Sequence, residues 1–231
     1  MRVAPLHSWK LTPKEAVQCQ RLWATRVDRS TPFPVHDGLC IAAADVSYNR
    51  YSPWLHAAMV VLRMPDLSME DQATVTVNVR FPYIPGLLSF RETPPLLSAW
   101  KKLKQKPDVL MVDGHGYAHP RRLGVACHLG LWLDLPTFGC AKSLLFGEHE
   151  GLPGRAGSQV PLLDPKQHEC VGMVVRTRAN VKPMYVSVGH RMDLPSAVAW
   201  TLATCRGLRQ PEPSRLAHLA ANRQRREHEP S

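Results

Sequence analysis

The sequence predicts an α/β fold in which a central mixed β-sheet is flanked by helices on both faces. Three observations predict it: short uninterrupted apolar runs bounded by turn residues, stretches of helical length between them, and an early trio of strand-like segments that reads as an antiparallel meander. At 231 residues the chain is long enough for one large core and short for two, so residues 1–231 are read as a single domain. Hydrophobic residues make up 44% and charged residues 21%, which excludes a chain disordered throughout.

Thr12, Pro13 and Glu15 form a helix start, with Thr12 as cap and Glu15 completing a capping box, ahead of a pattern that runs to about Asp28. Thr31 to Gly38 is a loop, and Leu39 to Val46 (LCIAAADV) is a strand buried on both faces. Leu55 to Arg63 and Ala73 to Arg80 complete the meander, the latter alternating Val75, Val77 and Val79 with Thr76 and Asn78. After PYIPG, a helix is expected from Ser89 to about Lys104, with Pro94 and Pro95 tolerated only in its first turn. Val109 to Val112 is a second buried strand. Downstream come a helix over Leu123 to Asp134, a strand over Thr137 to Ala141, a glycine-rich loop over Gly147 to Gln159 and strands over Cys170 to Arg176 and Met184 to Val188. Helices at about Leu194 to Arg206 and Ser214 to Arg225 follow, with the last eight polar residues frayed.

With 29 Lys+Arg against 19 Asp+Glu, the chain carries a formal net charge of +10, which favours a polyanionic partner such as nucleic acid without specifying its sequence or any chemistry. The six cysteines are scattered, lack metal-binding spacing and read as buried thiols of a reducing compartment. The start MRVAPLHSWKLTPKEA lacks the apolar stretch of a leader, and no apolar run approaches the ~20 residues of a membrane span, so a cytoplasmic protein without a membrane partner is expected.

Asp45 and Asp113 each end a buried strand, and crevices outside strand ends are where open α/β sheets bind ligands. Two carboxylates side by side repel unless a cation neutralises them, and Mg2+ prefers oxygen ligands completed by water and phosphate. Either Asp alone also fits a strand-end turn cap. Glu92 fits a third ligand and equally the capping box Ser89-Phe90-Arg91-Glu92. In DGHGYAHP, His115 or His119 could act on a phosphate or stand as ordinary loop histidines; Lys142 could offset phosphate charge or be solvated. Arg121 and Arg122 are candidate backbone contacts. Pro82, Tyr83, Ile84 and Pro85 make a stiff turn presenting a ring and a branched aliphatic, suited to stacking on bases or to an ordinary turn.

The runs ADVSY, FPYIPGLLSFRE, PDVLMVDGHGYAHPRRLG, GCAKSLL, SVGHRM and PEPSRLAH occur in this order from Ala44 to His218, and together they resemble endonuclease V, the deoxyinosine-directed nuclease family, over nearly the whole chain. The resemblance implies a ribonuclease H-like fold. It implies that Asp45, Glu92 and Asp113 are metal-binding catalytic carboxylates for Mg2+, with Mn2+ as a substitute, and that His119, Lys142 and His218 are further active-site residues near the scissile phosphate. Pro82, Tyr83, Ile84 and Pro85 match the family's strand-separating wedge, while Gly86, Leu88 and Gly114, with Leu145 as a pocket wall, match the main-chain pocket for a flipped base. The activity implied is hydrolysis of the second phosphodiester bond 3′ to a deaminated purine, inosine above all, leaving 3′-hydroxyl and 5′-phosphate ends in DNA repair. The partner is DNA containing deoxyinosine or another deaminated base, and the protein is expected to be monomeric. Cleavage of inosine-containing RNA is the second reading, and a lesion-binding module without turnover the third.

Overall fold

The computed structural model describes residues 5–49 and 52–229; the first four residues of the expected leaderless start and the last two of the expected frayed tail lie outside the described residues. Among the described residues, thirteen elements occur in the order α1 (Pro13–Ala24), β1 (Cys40–Ser47), β2 (Trp54–Arg63), β3 (Ser68–Asn78), α2 (Leu88–Lys102), β4 (Val109–Val112), α3 (Val125–Leu133), β5 (Thr137–Ala141), β6 (Gln159–Leu163), β7 (Cys170–Val175), β8 (Met184–His190), α4 (Leu194–Ala203) and α5 (Glu212–His228). The strands form one mixed sheet in the order β3-β2-β1-β4-β5-β8-β7-β6. β1, β4 and β5 run parallel in its centre and the outer pairs antiparallel, with β1–β2–β3 as the expected meander.

Strand alternation divides the core. Ala42, Ala44, Leu110 and Val112 face α2 and α3, packing on Leu96, Ala99, Ala126 and Leu129. Ile41, Ala43, Val109, Met111, Phe138 and Cys140 face the other way, against Ala197 and Trp200 of α4 and Ala217 of α5. Both faces are therefore covered, as strands with apolar residues at every position require. Ala16 of α1 belongs to a smaller cluster with Leu55, Phe81 and Phe90 beside the central core.

Five expectations are corrected. Pro94 and Pro95 lie seven and eight residues into α2 rather than in its first turn; burial of Phe90, Leu96 and Ala99 outweighs the lost backbone donors, and two adjacent prolines share one break. α2 starts after Leu87 with no side-chain cap, and Ser89 lies inside the helix with its hydroxyl buried, so Ser89 and Glu92 form no capping box. β6 occupies the end of the segment read as loop up to Gln159 and featureless beyond it; its Pro161 is tolerated because β6 is an edge strand, with one side free of ladder bonds. The C-terminal residues are ordered helix to His228, and Glu229 accepts hydrogen bonds from Asn49 Nδ2 (2.6 Å) and Ser52 Oγ. All six cysteines are free thiols, but only Cys40, Cys127 and Cys140 are buried; Cys170 is exposed. No helix among the described residues is long and apolar enough to cross a membrane.

Candidate active site

The parallel register of the central strands assembles the site. Ala44 pairs with Val112, and Asp113 donates its backbone N–H to Ala44 O at 2.9 Å, so Asp45 and Asp113 follow side by side at the same end of the sheet. Alternation aims them alike: Asp45 continues Ile41 and Ala43, Asp113 continues Val109 and Met111, and Lys142 continues Phe138 and Cys140, all toward α5. α5 returns His218 to them, one helical face above buried Ala217 and Ala221. Glu92 arrives from α2 on the opposite side and closes a cleft of about 320 Å3 lined by Asp45, Tyr48, Glu92, Asp113, Lys142 and His218.

Lys142 and His218 bridge the two aspartates. Lys142 Nζ lies 2.6 Å from Asp113 Oδ2, His218 Nδ1 lies 2.7 Å from Asp45 Oδ2, and Nζ and Nδ1 are 3.4 Å apart. Asn222, one turn along α5, donates to His218 Nε2 at 3.1 Å and accepts from Ser47 Oγ at 2.8 Å, which orients the imidazole so that Nδ1–H faces Asp45. Glu92 Oε1 accepts from Tyr48 Oη at 3.3 Å. Burial, then repulsion from Asp45, raises the Glu92 carboxyl from 4.5 to about 8. Burial and Asp45 raise Asp113 too, against the opposing pull of Lys142 and His218. One carboxylate oxygen each from Asp45 and Asp113 and one ring nitrogen of His218 lie within 4.8 Å of one another. Clustered oxygen donors of like charge are the chemistry of a divalent-cation site, and these residues could hold such an ion.

Glu92 and Asp113 also wall a second, more enclosed pocket of about 210 Å3, bounded by Tyr83, Pro85, Gly86, Leu88, Gly114, His115 and Leu145 among others. A base lodged there would lie next to the carboxylate cleft. Tyr83 is 48% exposed at the rim. The structure separates its neighbours: Pro82 lines a shallow depression with Arg80 and Arg91, while Ile84 turns inward against the Phe81–Phe90 cluster rather than outward with Tyr83.

Gly86 takes φ +79°, the left-handed region that glycine reaches freely, and a Cβ there would come within 2.8 Å of Arg121 Nη2. Its carbonyl is held by three donors: Gln20 Nε2 at 2.9 Å, Arg121 Nη2 at 2.7 Å and His119 Nε2 at 3.0 Å. The Arg121 backbone N–H donates to His119 Nδ1 at 3.0 Å, so Nδ1 is the bare nitrogen and Nε2 carries the proton given to Gly86. Burial, then the neighbouring Arg121 charge, lowers His119 to about 4. His119 thus faces the loop that forms the pocket, with both nitrogens in use. Arg121 and Arg122, read as contacts to a nucleic-acid backbone, point into the protein instead: Arg121 pairs with Gln20 (2.5 Å) and Gly86, Arg122 with Asp164 and Glu169.

Gln20, Tyr48, Arg91 and Asn222 escaped sequence reasoning. Arg91 is a buried strut donating to Phe81 O (2.6 Å) and Ser52 O (2.8 Å). Asn222 alone had a local signal, its i+4 spacing from His218 on a helix.

The family described as Endonuclease V matches residues 22–219 of the chain. A protein named Endonuclease V from Gloeobacter violaceus is 52% identical over 229 residues, covering 97% of this chain and 91% of that protein. The crystal structure of the Endonuclease V from Streptomyces avermitilis superposes with a TM-score of 0.88 at 40% identity, covering 94% of each chain. That of Ciona intestinalis Endonuclease V, in complex with a 24mer DNA containing an inosine followed by a ribo-adenosine, superposes with a TM-score of 0.83 at 26% identity, covering 94% of this chain and 98% of that one.

Proposed function

From its membership of the endonuclease V family, which makes this chain a nuclease, we propose that it hydrolyses the second phosphodiester bond 3′ to a deaminated purine, with Mg2+ as cofactor and DNA repair as its setting. The observation that carries this reading is the meeting of Asp45, Glu92 and Asp113 in one cleft whose wall is shared with an enclosed base-sized pocket. Asp45 and Asp113 would hold the ion from the ends of β1 and β4, with Glu92 across the cleft, and Mn2+ can substitute because the donors are mainly oxygens. When bound, Mg2+ supplies Lewis acidity to the phosphate and eases deprotonation of water.

The residues themselves divide the work. Lys142, once its contact with Asp113 loosens, is a positive charge beside the scissile phosphate. His218, held by Asn222, presents Nδ1–H to Asp45 and is placed to hold or pass a proton in the cleft. Tyr83 stacks into the gap left by the displaced nucleotide, and the Gly86 loop, with Leu88, Gly114 and Leu145, encloses the base. Fixed main-chain groups can read the hypoxanthine edge with little reorganisation, which is the purpose we assign to the Gln20, Arg121 and His119 tethers on Gly86. His119 is on this account a positioning residue, acting through the loop.

The ribo-adenosine beside inosine in the Ciona complex favours a second reading, in which inosine-containing RNA is also cut. Denaturing-gel mapping on matched single-inosine DNA and RNA strands, with Mg2+ and with EDTA, tests both. Parental protein should cut DNA at the second 3′ bond only with Mg2+, and Asp113→Ala should bind the strand without cutting it. Cleavage in EDTA, or parental rates in the Asp113 variant, would overturn the proposal.

A further inference from the structure

We propose that His56, His228 and Glu229 form a second metal site, selective for a borderline-soft cation such as Zn2+, which clasps the end of α5 to the sheet. One ligand atom from each residue lies within 4.8 Å of the others. His228 is ten residues beyond His218 on α5, roughly 15 Å along the helix axis, so the trio is separate from the carboxylate cleft.

The independent sign of a missing ligand is the His56 ring. This residue is wholly buried in β2, and its Nε2 has no hydrogen-bond partner among the described residues. A buried ring nitrogen without a partner is costly, and a metal would satisfy it. The surroundings are those of a supported ligand set. His56 Nδ1 lies 3.0 Å from Thr76 Oγ1, which fixes the ring and, with Nδ1–H donating, leaves Nε2 as a lone pair. Asn49 and Ser52 donate to the two oxygens of Glu229, using one lone pair on each and leaving another. The His228 ring packs 5.2 Å from that of His56, and as an exposed side chain in the last helical residue it can turn to shorten the span.

Two imidazoles and one carboxylate with a position left for water suit Zn2+, whereas Mg2+ prefers an all-oxygen shell. Arg225, bonded to Asn49 Oδ1, adds a nearby positive charge that Glu229 offsets. Binding would fasten the end of the helix that carries His218 and Asn222.

The test is Zn2+ titration, read by bound metal per chain and by the absorption bands of Co2+ as a substitute, in the Asp113→Asn background that disables the cleft. Asp113→Asn should bind one Zn2+, Asp113→Asn with His228→Ala none, and Glu229→Gln in the same background should weaken binding at least about tenfold. Zn2+ at a hundredfold over its Kd should raise Tm by roughly 5–10 °C in the single variant and leave the His228→Ala double variant unmoved. Equal binding with and without His228, or none in Asp113→Asn, would overturn the proposal. Because His228 is exposed, its loss should leave circular dichroism unchanged, and cleavage is not measured, so the outcome is independent of the proposed nuclease mechanism.

Discussion

Replacing Glu92 by Gln should stabilise the metal-free protein at alkaline pH while abolishing its chemistry. The folded state holds the Glu92 proton more tightly than the unfolded chain, with 4.5 raised to about 8 by burial and by Asp45. Folded protein therefore binds more protons than unfolded protein between those values, and stability must fall as pH rises through that window. At about 1.4 kcal/mol per tenfold change in proton affinity, full ionisation would cost roughly 5 kcal/mol; access of water to the cleft reduces this to roughly 2–3 kcal/mol. Gln keeps an acceptor for Tyr48 and removes the charge. In urea denaturation with EDTA, Glu92→Gln should exceed the parent by that amount at pH 8.5 and match it near pH 4.5. Cleavage of an inosine oligonucleotide with Mg2+ should meanwhile drop by about two orders of magnitude or more. A variant no more stable than the parent at pH 8.5, or equally favoured at both pH values, would refute the electrostatic account of the cleft.

Tyr83→Ala should leave stability within about 0.5 kcal/mol, since the ring is largely exposed; affinity for an inosine strand should fall roughly tenfold and for unmodified DNA far less, and equal losses in a filter-binding assay would remove the wedge role. Gly86→Ala places a side chain at φ +79° against Arg121, so a loss of about 1–3 kcal/mol in thermal unfolding is expected together with weaker lesion binding; an unchanged Tm would show that the loop relaxes freely. His119 is depressed to about 4 from 6.5 by burial and Arg121, so the unfolded chain binds more protons in that window and stability should fall on acidification from pH 7 to 5. His119→Asn should lessen that fall by up to about 2 kcal/mol, and a variant with the parental pH slope would contradict the neutral ring inferred from its two hydrogen bonds.

Placement of the central strands and the direction of the site aspartates were legible in local pattern. An apolar run ending in Asp defines a strand and its last residue, and period-two alternation carries Asp45, Asp113 and Lys142 to one face without knowledge of the rest of the chain. The six ordered motifs identified the family for the same reason, since they are contiguous strings. The capping-box ambiguity of Glu92 was of another kind: whether its helix begins at Ser89 or Leu88 depends on what Phe90 and Leu96 bury, and only packing against the sheet decided that. Packing likewise turned Ile84 inward and Tyr83 outward from one rigid turn.

The sequence by itself determined the strands other than β6, the carboxylate ends of β1 and β4 and the positive charge, because each follows from composition or from periodicity over a few residues. Tertiary structure alone decided that Gln20 and Arg121 meet at Gly86, that Asn222 and Ser47 orient His218, and that His56 faces the end of α5. Apart from the single-turn step from Asn222 to His218 within α5, the hydrogen bonds among these contacts span from 35 to 175 residues of chain; their geometry is set by how helices of fixed pitch settle on a twisted sheet, a property that no short window of residues contains.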